Sequence, residues 1–311
     1  MAAITASMVA ELRKKTGLGM MDCKKALVES DGDVEKAIKI LREKGLATAA
    51  KKESRIAAEG VVDILADGDV AAVIEVNSET DFVAKNESFR EFVKGLLRTI
   101  VANKPADVEA LKTLNFDGTS ATVDAALTEK IAQIGEKLSI RRFAIVEGTT
   151  STYIHGMGTT GVIVKFEADD AAKNNAGFAE FAKNIALQIA AGSPPTYVAK
   201  EDVPASVLDE EKAIVLTQLQ NDPKNANKPA QILEKMVIGK VGKYFEANCL
   251  LEQAYVKDDK LTVGKYVEAC AKEFGGKIKV VSFTLFEKGE GLQKREENFA
   301  EEIAKLAGGN K

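Results

Sequence analysis

The 311-residue sequence has one histidine, His155, and three cysteines, Cys23, Cys249 and Cys270, far apart and outside any CxxC pair. That scarcity argues against a zinc ribbon or a disulfide framework, and it fits a reducing cytosol. Acid–base chemistry is short of parts as well. His155 has no Ser, Cys or metal-ligand partner in view, so its expected role is structural hydrogen bonding. Cys23 has no base nearby in sequence and reads as a packed helix residue. Excess positive charge is also missing: the net charge is −4, whereas general binding to a nucleic-acid backbone needs a basic face. No apolar run could span a bilayer, and the opening MAAITASMVAELRKK lacks the apolar core of a signal peptide. The expectation is a soluble, cytoplasmic protein of two or more domains.

What the sequence does contain centres on VIEVNSETDFVAKNESFREF, from Val73 to Phe92. Val73, Ile74 and Val76 read as the end of a buried strand, while Phe89, Phe92, Val93 and Leu96 share one face of a helix. Between them, Asp81 and Phe82 put a charge and a large aromatic at a strand-to-helix corner. One reading makes Phe82 core and Asp81 a cap; the other makes the pair a protruding tip. The unit recurs 89 positions later as VIVKFEADDAAKNNAGFAEFAK from Val162, without a gap and with about a third of positions identical. Such a repeat implies two copies of one strand–helix unit. Asp81 matches Asp170, Phe89 and Phe92 match Phe178 and Phe181, but Phe82 faces Ala171. A residue needed to build the unit should occur in both copies, which shifts the balance toward a role for Phe82 outside its own core.

The first 45 or so residues read as three short helices around one core. Thr5 caps the first, Thr16-Gly17 ends it, Asp31-Gly32-Asp33 turns into the third, and Gly45 is its expected stop. Lys24 and Lys25 sit beside the apolar corner Leu18-Gly19-Met20-Met21. After a basic, alanine-rich connector, Gly60–Ala66 and the strand through Val76 form a hairpin around Asp67-Gly68-Asp69. A helix is expected over Val123–Leu138 and a strand over Ile140–Val146. The glycines between His155 and Val162 lack the phosphate-loop and dinucleotide-loop spacings and read as a hairpin turn. Residues 204–246 read as two long helices around the tip NDPKNANKP, a helical hairpin with a polar end. A helix over Leu261–Phe274, a strand over Ile278–Phe286 and a last helix over Glu296–Leu306 complete the chain.

Two runs, LRKKTGLGMMDCKKAL (Leu12–Leu27) and EVNSETDFVAKN (Glu75–Asn86), closely resemble the two signatures of bacterial elongation factor Ts. IGEKLSIRR (Ile134–Arg142), GVIV (Gly161–Val164), IAAGSPPTYV (Ile189–Val198) and FEKGEGLQK (Phe286–Lys294) follow in the family's order and extend the likeness over nearly the whole chain, as in the long form of that family. The resemblance implies an α+β multidomain protein. It would comprise a UBA-like three-helix domain with its connector (1–54) and a core of two related α+β halves (55–140 and 141–290). The second half would carry a projecting antiparallel helical hairpin at about 204–246, and a C-terminal helical module would occupy 291–311.

The resemblance further implies a guanine-nucleotide exchange factor for elongation factor Tu, cytoplasmic and performing no covalent chemistry. It would have no cofactor of its own, because magnesium and GDP belong to the partner GTPase. Neither nucleic acid nor membrane is implied as a partner, and a homodimer or 2:2 complex through the helical hairpin stays open. By the same resemblance, Phe82 is the wedge near the partner's magnesium site, with Thr80, Asp81 and Val83 forming the rest of the tip. Lys24 belongs to the N-terminal docking surface, Ile134 and Gly135 to a contact segment, and Gln188, Val256 and Lys257 to further contacts. Two departures stand out: Leu187-Gln188 replaces the family's usual Met-His, and Thr159-Thr160 replaces its Arg-Ile. The rival reading is a plain protein-binding adaptor built on the N-terminal helices.

Overall fold

The computed structural model describes residues 4–191, 193–225 and 228–293. The expected helix over Glu296–Leu306 lies outside the described residues, as do Ala226 and Asn227 in the NDPKNANKP tip. The chain begins with α1 (Ala6–Thr16), α2 (Met20–Glu29) and α3 (Val34–Lys52), then β1 (Glu59–Asp67) and β2 (Val70–Ser78). Next come α4 (Asp81–Ala84), α5 (Glu87–Asn103), α6 (Val108–Thr113), α7 (Val123–Ile134) and β3 (Leu138–Glu147). The repeat follows with β4 (Thr149–His155), β5 (Thr160–Ala168), α8 (Asp170–Lys173) and α9 (Phe178–Ala191). Then come α10 (Ala205–Asn221), α11 (Ala230–Asn248), β6 (Ala254–Tyr255), β7 (Asp258–Thr262), α12 (Val263–Phe274) and β8 (Ile278–Glu287). The strands form sheets ordered β1-β2-β3, β4-β5-β8 and β6-β7, giving a mixed α/β protein. Contacts divide the described chain into one unit of residues 4–63, 74–143 and 287–293, and another of 64–73 and 144–286.

In the first unit, α1–α3 enclose Val9, Leu12, Cys23, Ala26, Leu27, Ala37 and Leu41. The Thr5 hydroxyl accepts the Met8 N–H at 3.3 Å at the start of α1, and Gly17 ends that helix at φ 67°, a left-handed value that suits glycine. Asp33 accepts the Glu35 and Lys36 N–H groups and starts α3. Gly45 does not stop α3, which runs on to Lys52. Gly45 is instead buried against Ala132 and Thr128 of α7, so a residue expected as a cap marks a close approach of two helices. The helix expected to reach Leu138 ends at Ile134, where Gly135 turns left-handed at φ 81° and frees Leu138 to open β3. On α5, Phe89, Phe92, Val93, Leu96 and Ile100 form the buried face, as their spacing requires.

In the second unit, β4 and β5 are antiparallel, with Thr149 opposite Phe166 and His155 opposite Thr160. Phe166, Phe178, Phe181, Ile185, Ile189, Val263 and Val267 belong to its core. The helix expected from Leu261 starts at Val263, because Asp258–Thr262 pair as β7 and the Thr262 hydroxyl caps α12 by accepting the Lys265 N–H at 3.3 Å. The short helices α4 and α8 keep the 89-position offset of the sequence repeat at both ends. All three cysteines are buried and free of disulfides.

Candidate functional site

The corner between β2 and α5 is one turn of helix, α4, with its side chains sorted by burial. Val83 and Ala84 face inward at 8% exposure each, whereas Phe82 is 79% exposed. The core reading of Phe82 therefore does not hold. Nor does Asp81 cap the next helix. Asn86 does so, its Oδ1 accepting the Phe89 N–H at 3.2 Å. The half-exposed Asp81 carboxylate instead accepts from Lys85 Nζ at 2.6 Å. That ammonium holds the Asp81 carboxyl below the usual carboxylate range.

The backbone beneath Phe82 is held from two sides. The Thr80 N–H and hydroxyl both donate to the Glu136 carboxylate, at 3.0 and 2.7 Å. In the opposite direction, Glu79 accepts the Lys137 N–H at 2.6 Å and the Arg55 guanidinium at 3.2 Å. The Ser78 hydroxyl closes the turn on the Thr80 carbonyl at 2.9 Å. Hydrogen bonds to a charged acceptor contribute about 1.5–3 kcal/mol each, so the crossed pair Glu79–Lys137 and Glu136–Thr80 fixes the turn's stem. Lys137 Nζ donates to the Glu53 and Arg55 carbonyls at 2.6 and 2.9 Å, and Lys52 Nζ to the Gly135 carbonyl. Gln133 Nε2 reaches the Thr16 carbonyl at 2.8 Å.

The sequence-derived site residues thus fall into three groups. Thr80, Asp81, Phe82 and Val83 are joined by hydrogen bonds to the segment carrying the half-buried Ile134 and the exposed Gly135. Val83 anchors that turn from inside instead of presenting a surface. Lys24 is exposed on α2, on a side that also exposes Met20, Met21 and Val28.

In the second unit Gln188, expected as a partner contact, is only 4% exposed, with its side chain turned inward. Its amide accepts the Val256 N–H at 2.7 Å and donates to the Ala254 carbonyl at 3.1 Å. Val256 and Lys257 are exposed, and Lys257 Nζ donates to Asn184 Oδ1 at 2.7 Å. Asn184 and Gln188, one helical turn apart on α9, hold the turn that presents those two residues.

Sequence reasoning missed Glu136, Glu79 and Asn184. Glu136 and Lys137 adjoin the singled-out Ile134-Gly135, and their alternating acid and base was the available signal. Tyr153 Oη lies 3.4 Å from His155 Nδ1. Among the described residues, no group of three or more His, Cys, Asp or Glu is arranged to hold a metal ion, and no helix is long and apolar enough to cross a membrane.

Residues 79–290 match the family model described as "Elongation factor TS". Curated relatives named "Elongation factor Ts" match over almost their whole length. The one from Syntrophotalea carbinolica is 48% identical over 306 residues, covering 97% of this chain and 99% of that protein. Another, from Clostridium kluyveri, is 49% identical over 308 residues, with 97% and 98% covered. The chain belongs to the elongation factor Ts family. The elongation factor Ts model begins at Glu79, at the stem of the Phe82 turn, and it takes in Glu136, Gln188 and Val256. The three N-terminal helices precede the matched segment and are covered by the alignment with full-length elongation factor Ts relatives.

Proposed function

We propose that the protein is the guanine-nucleotide exchange factor for elongation factor Tu in translation elongation, and that the Asp81-Phe82 turn is the group that loosens GDP. A GTPase holds GDP chiefly through phosphate contacts and a magnesium ion. An exchange factor needs no covalent step: it binds the nucleotide-free state better than the GDP state, and reciprocity then requires it to weaken GDP by the same factor. The magnesium and GDP belong to the partner.

The observation that carries this reading is Phe82, 79% exposed on a turn whose stem is fixed by Glu136 and Glu79. A free aromatic normally packs inward; one held outward on a fixed stem is suited to entering a packed partner, where added volume costs about 1–3 kcal/mol. Asp81 stands beside it to compete for donors around the phosphates or to disturb the metal's water shell. The N-terminal helices act as a UBA-like docking module using Lys24, with Ile134-Gly135 and Val256-Lys257 as further contacts. Gln188 works from below, by holding Val256. The α10–α11 pair serves as a helical hairpin for assembly or partner contact, in a cytoplasmic factor with neither a nucleic-acid nor a membrane partner.

The test is stopped-flow release of a fluorescent GDP analogue from elongation factor Tu. Acceleration that rises and saturates with added protein is expected. Complex formation without acceleration would leave only an adaptor working through the N-terminal helices.

A further inference from the structure

We infer that Glu136 is a positioning residue for nucleotide exchange, acting on the partner only through Phe82. This rests on the reading of Phe82 as the group that loosens GDP. Glu136 lies in the bend between α7 and β3, 54 positions after Phe82, and both of its carboxylate oxygens are spent on Thr80: Oε2 takes the N–H, Oε1 the hydroxyl. Thr80 occupies the N-cap position of α4, yet its side chain accepts no capping hydrogen bond there; the bond its hydroxyl does make is the one it donates to Glu136. The turn therefore has no cap of its own and takes its orientation from a segment far away in sequence.

The second copy of the repeat shows the alternative. There Asp169 caps α8 in the ordinary way, accepting the Ala172 N–H at 3.0 Å, and the position matching Phe82 is Ala171. The Asp169 carboxylate also accepts the distant Lys277 N–H at 2.8 Å, so both corners are tied to remote chain. The difference is that the second corner has a side-chain cap of its own, whereas the N-cap residue of the corner that presents Phe82 is held by an outside carboxylate. The bend from Gln133 to Lys137 also holds Thr16, Lys52, Glu53 and Arg55, at the N-terminal helices and their connector. Together with Glu79, which takes Arg55 and the Lys137 N–H, Glu136 is thus one of the two carboxylates through which that bend and the connector reach the turn.

The experiment is a double-mutant cycle on GDP release from elongation factor Tu, using Glu136→Ala, Phe82→Ala and the pair, with Glu136→Gln as the conservative variant. Both the saturating rate constant and the half-saturating protein concentration are measured, and circular dichroism checks folding. Glu136→Ala is expected to lower the saturating rate about tenfold, to change half-saturation less than about threefold, and to have no further effect in the Phe82→Ala background. Glu136→Gln, which can still accept one of the two bonds, should fall between. Additive losses in the pair, or a silent Glu136→Ala beside a slow Phe82→Ala, overturn the inference and leave the role of Phe82 intact. A silent Phe82→Ala overturns that role itself. If Glu136→Ala fails to fold, the cycle is read with Glu136→Gln, whose expected partial loss must likewise vanish without Phe82.

Discussion

The Gly289 N–H donates to Glu75 Oε1 at 2.8 Å, joining positions 214 apart in sequence. Glu75 has no exposed surface, and its carboxylate also accepts from Arg141 at 2.9 Å, Arg142 at 2.7 Å and Asn77 at 3.1 Å. Arg142 continues to the Glu290 carboxylate at 2.9 Å. The network ties the chain around residues 287–290 to the strand that leads into the Phe82 turn. Removing one partner of a buried, hydrogen-bonded ion pair costs about 3–5 kcal/mol, because the remaining charges stay behind uncompensated. Glu75→Ala should lose that much in urea unfolding at neutral pH, and Glu75→Gln less.

The same carboxylate sets a pH dependence. Burial pushes the Glu75 carboxyl up, but the donors from Gly289, Asn77, Arg141 and Arg142 outweigh it and hold it below the usual range. A folded-state value depressed below the unfolded one gives stability that is complete above the unfolded value of about 4.3 and is lost as pH falls through the folded value. The stability difference between wild type and Glu75→Gln should stay flat from pH 7 to about 5 and shrink below about 4.3. Urea midpoints at several pH values check this, and a difference that grows toward acid would contradict it.

Two helical glycines with opposite surroundings give opposite outcomes. A Cβ on Gly45 would meet Ala132 Cβ at 3.5 Å, an ordinary contact, while a Cβ on Gly95 would sit 2.4 Å from Cζ of Phe116. Ala is the better helix former by about 1 kcal/mol. Gly45→Ala should therefore be neutral or stabilising by up to about 1 kcal/mol. Gly95→Ala should destabilise by about 1–3 kcal/mol, because the Phe116 ring, stacked on Phe92 at 5.3 Å, must move. Thermal unfolding of the two variants separates them.

Much of the architecture was legible from periodicity and punctuation: the α5 face from Phe89 to Ile100, the Asp33 cap, the 89-position repeat and the corner it isolates. The boundary errors have different physical causes. Gly45 has the residue type of a helix stop but serves a helix–helix contact, so tertiary packing decided it. Gly135, in contrast, turned left-handed and ended a helix whose apolar spacing ran on through Leu138, a local backbone choice. The corner's key residues were readable only in part: comparing the two copies pointed to Phe82, but nothing local marks Glu136 as the partner of Thr80. For Gln188, which the family resemblance marked as a partner contact, nothing local shows that its side chain turns inward to hold Val256.

Replacing Gln188 tests that inward role. Gln188→Leu would leave the Val256 N–H without its acceptor, and an unmet buried polar group costs about 1–3 kcal/mol. Faster amide exchange across 253–257 is expected, with exchange on α1–α3 unchanged.

The most direct measurement compares wild type with Phe82→Ala in GDP release from elongation factor Tu, alongside their unfolding. Phe82 is exposed, so the substitution should shift unfolding by less than about 0.5 kcal/mol. Losing the wedge should slow the saturating release rate by about tenfold or more, while binding to the nucleotide-free GTPase survives. Equal acceleration by both proteins would contradict the role assigned to Phe82.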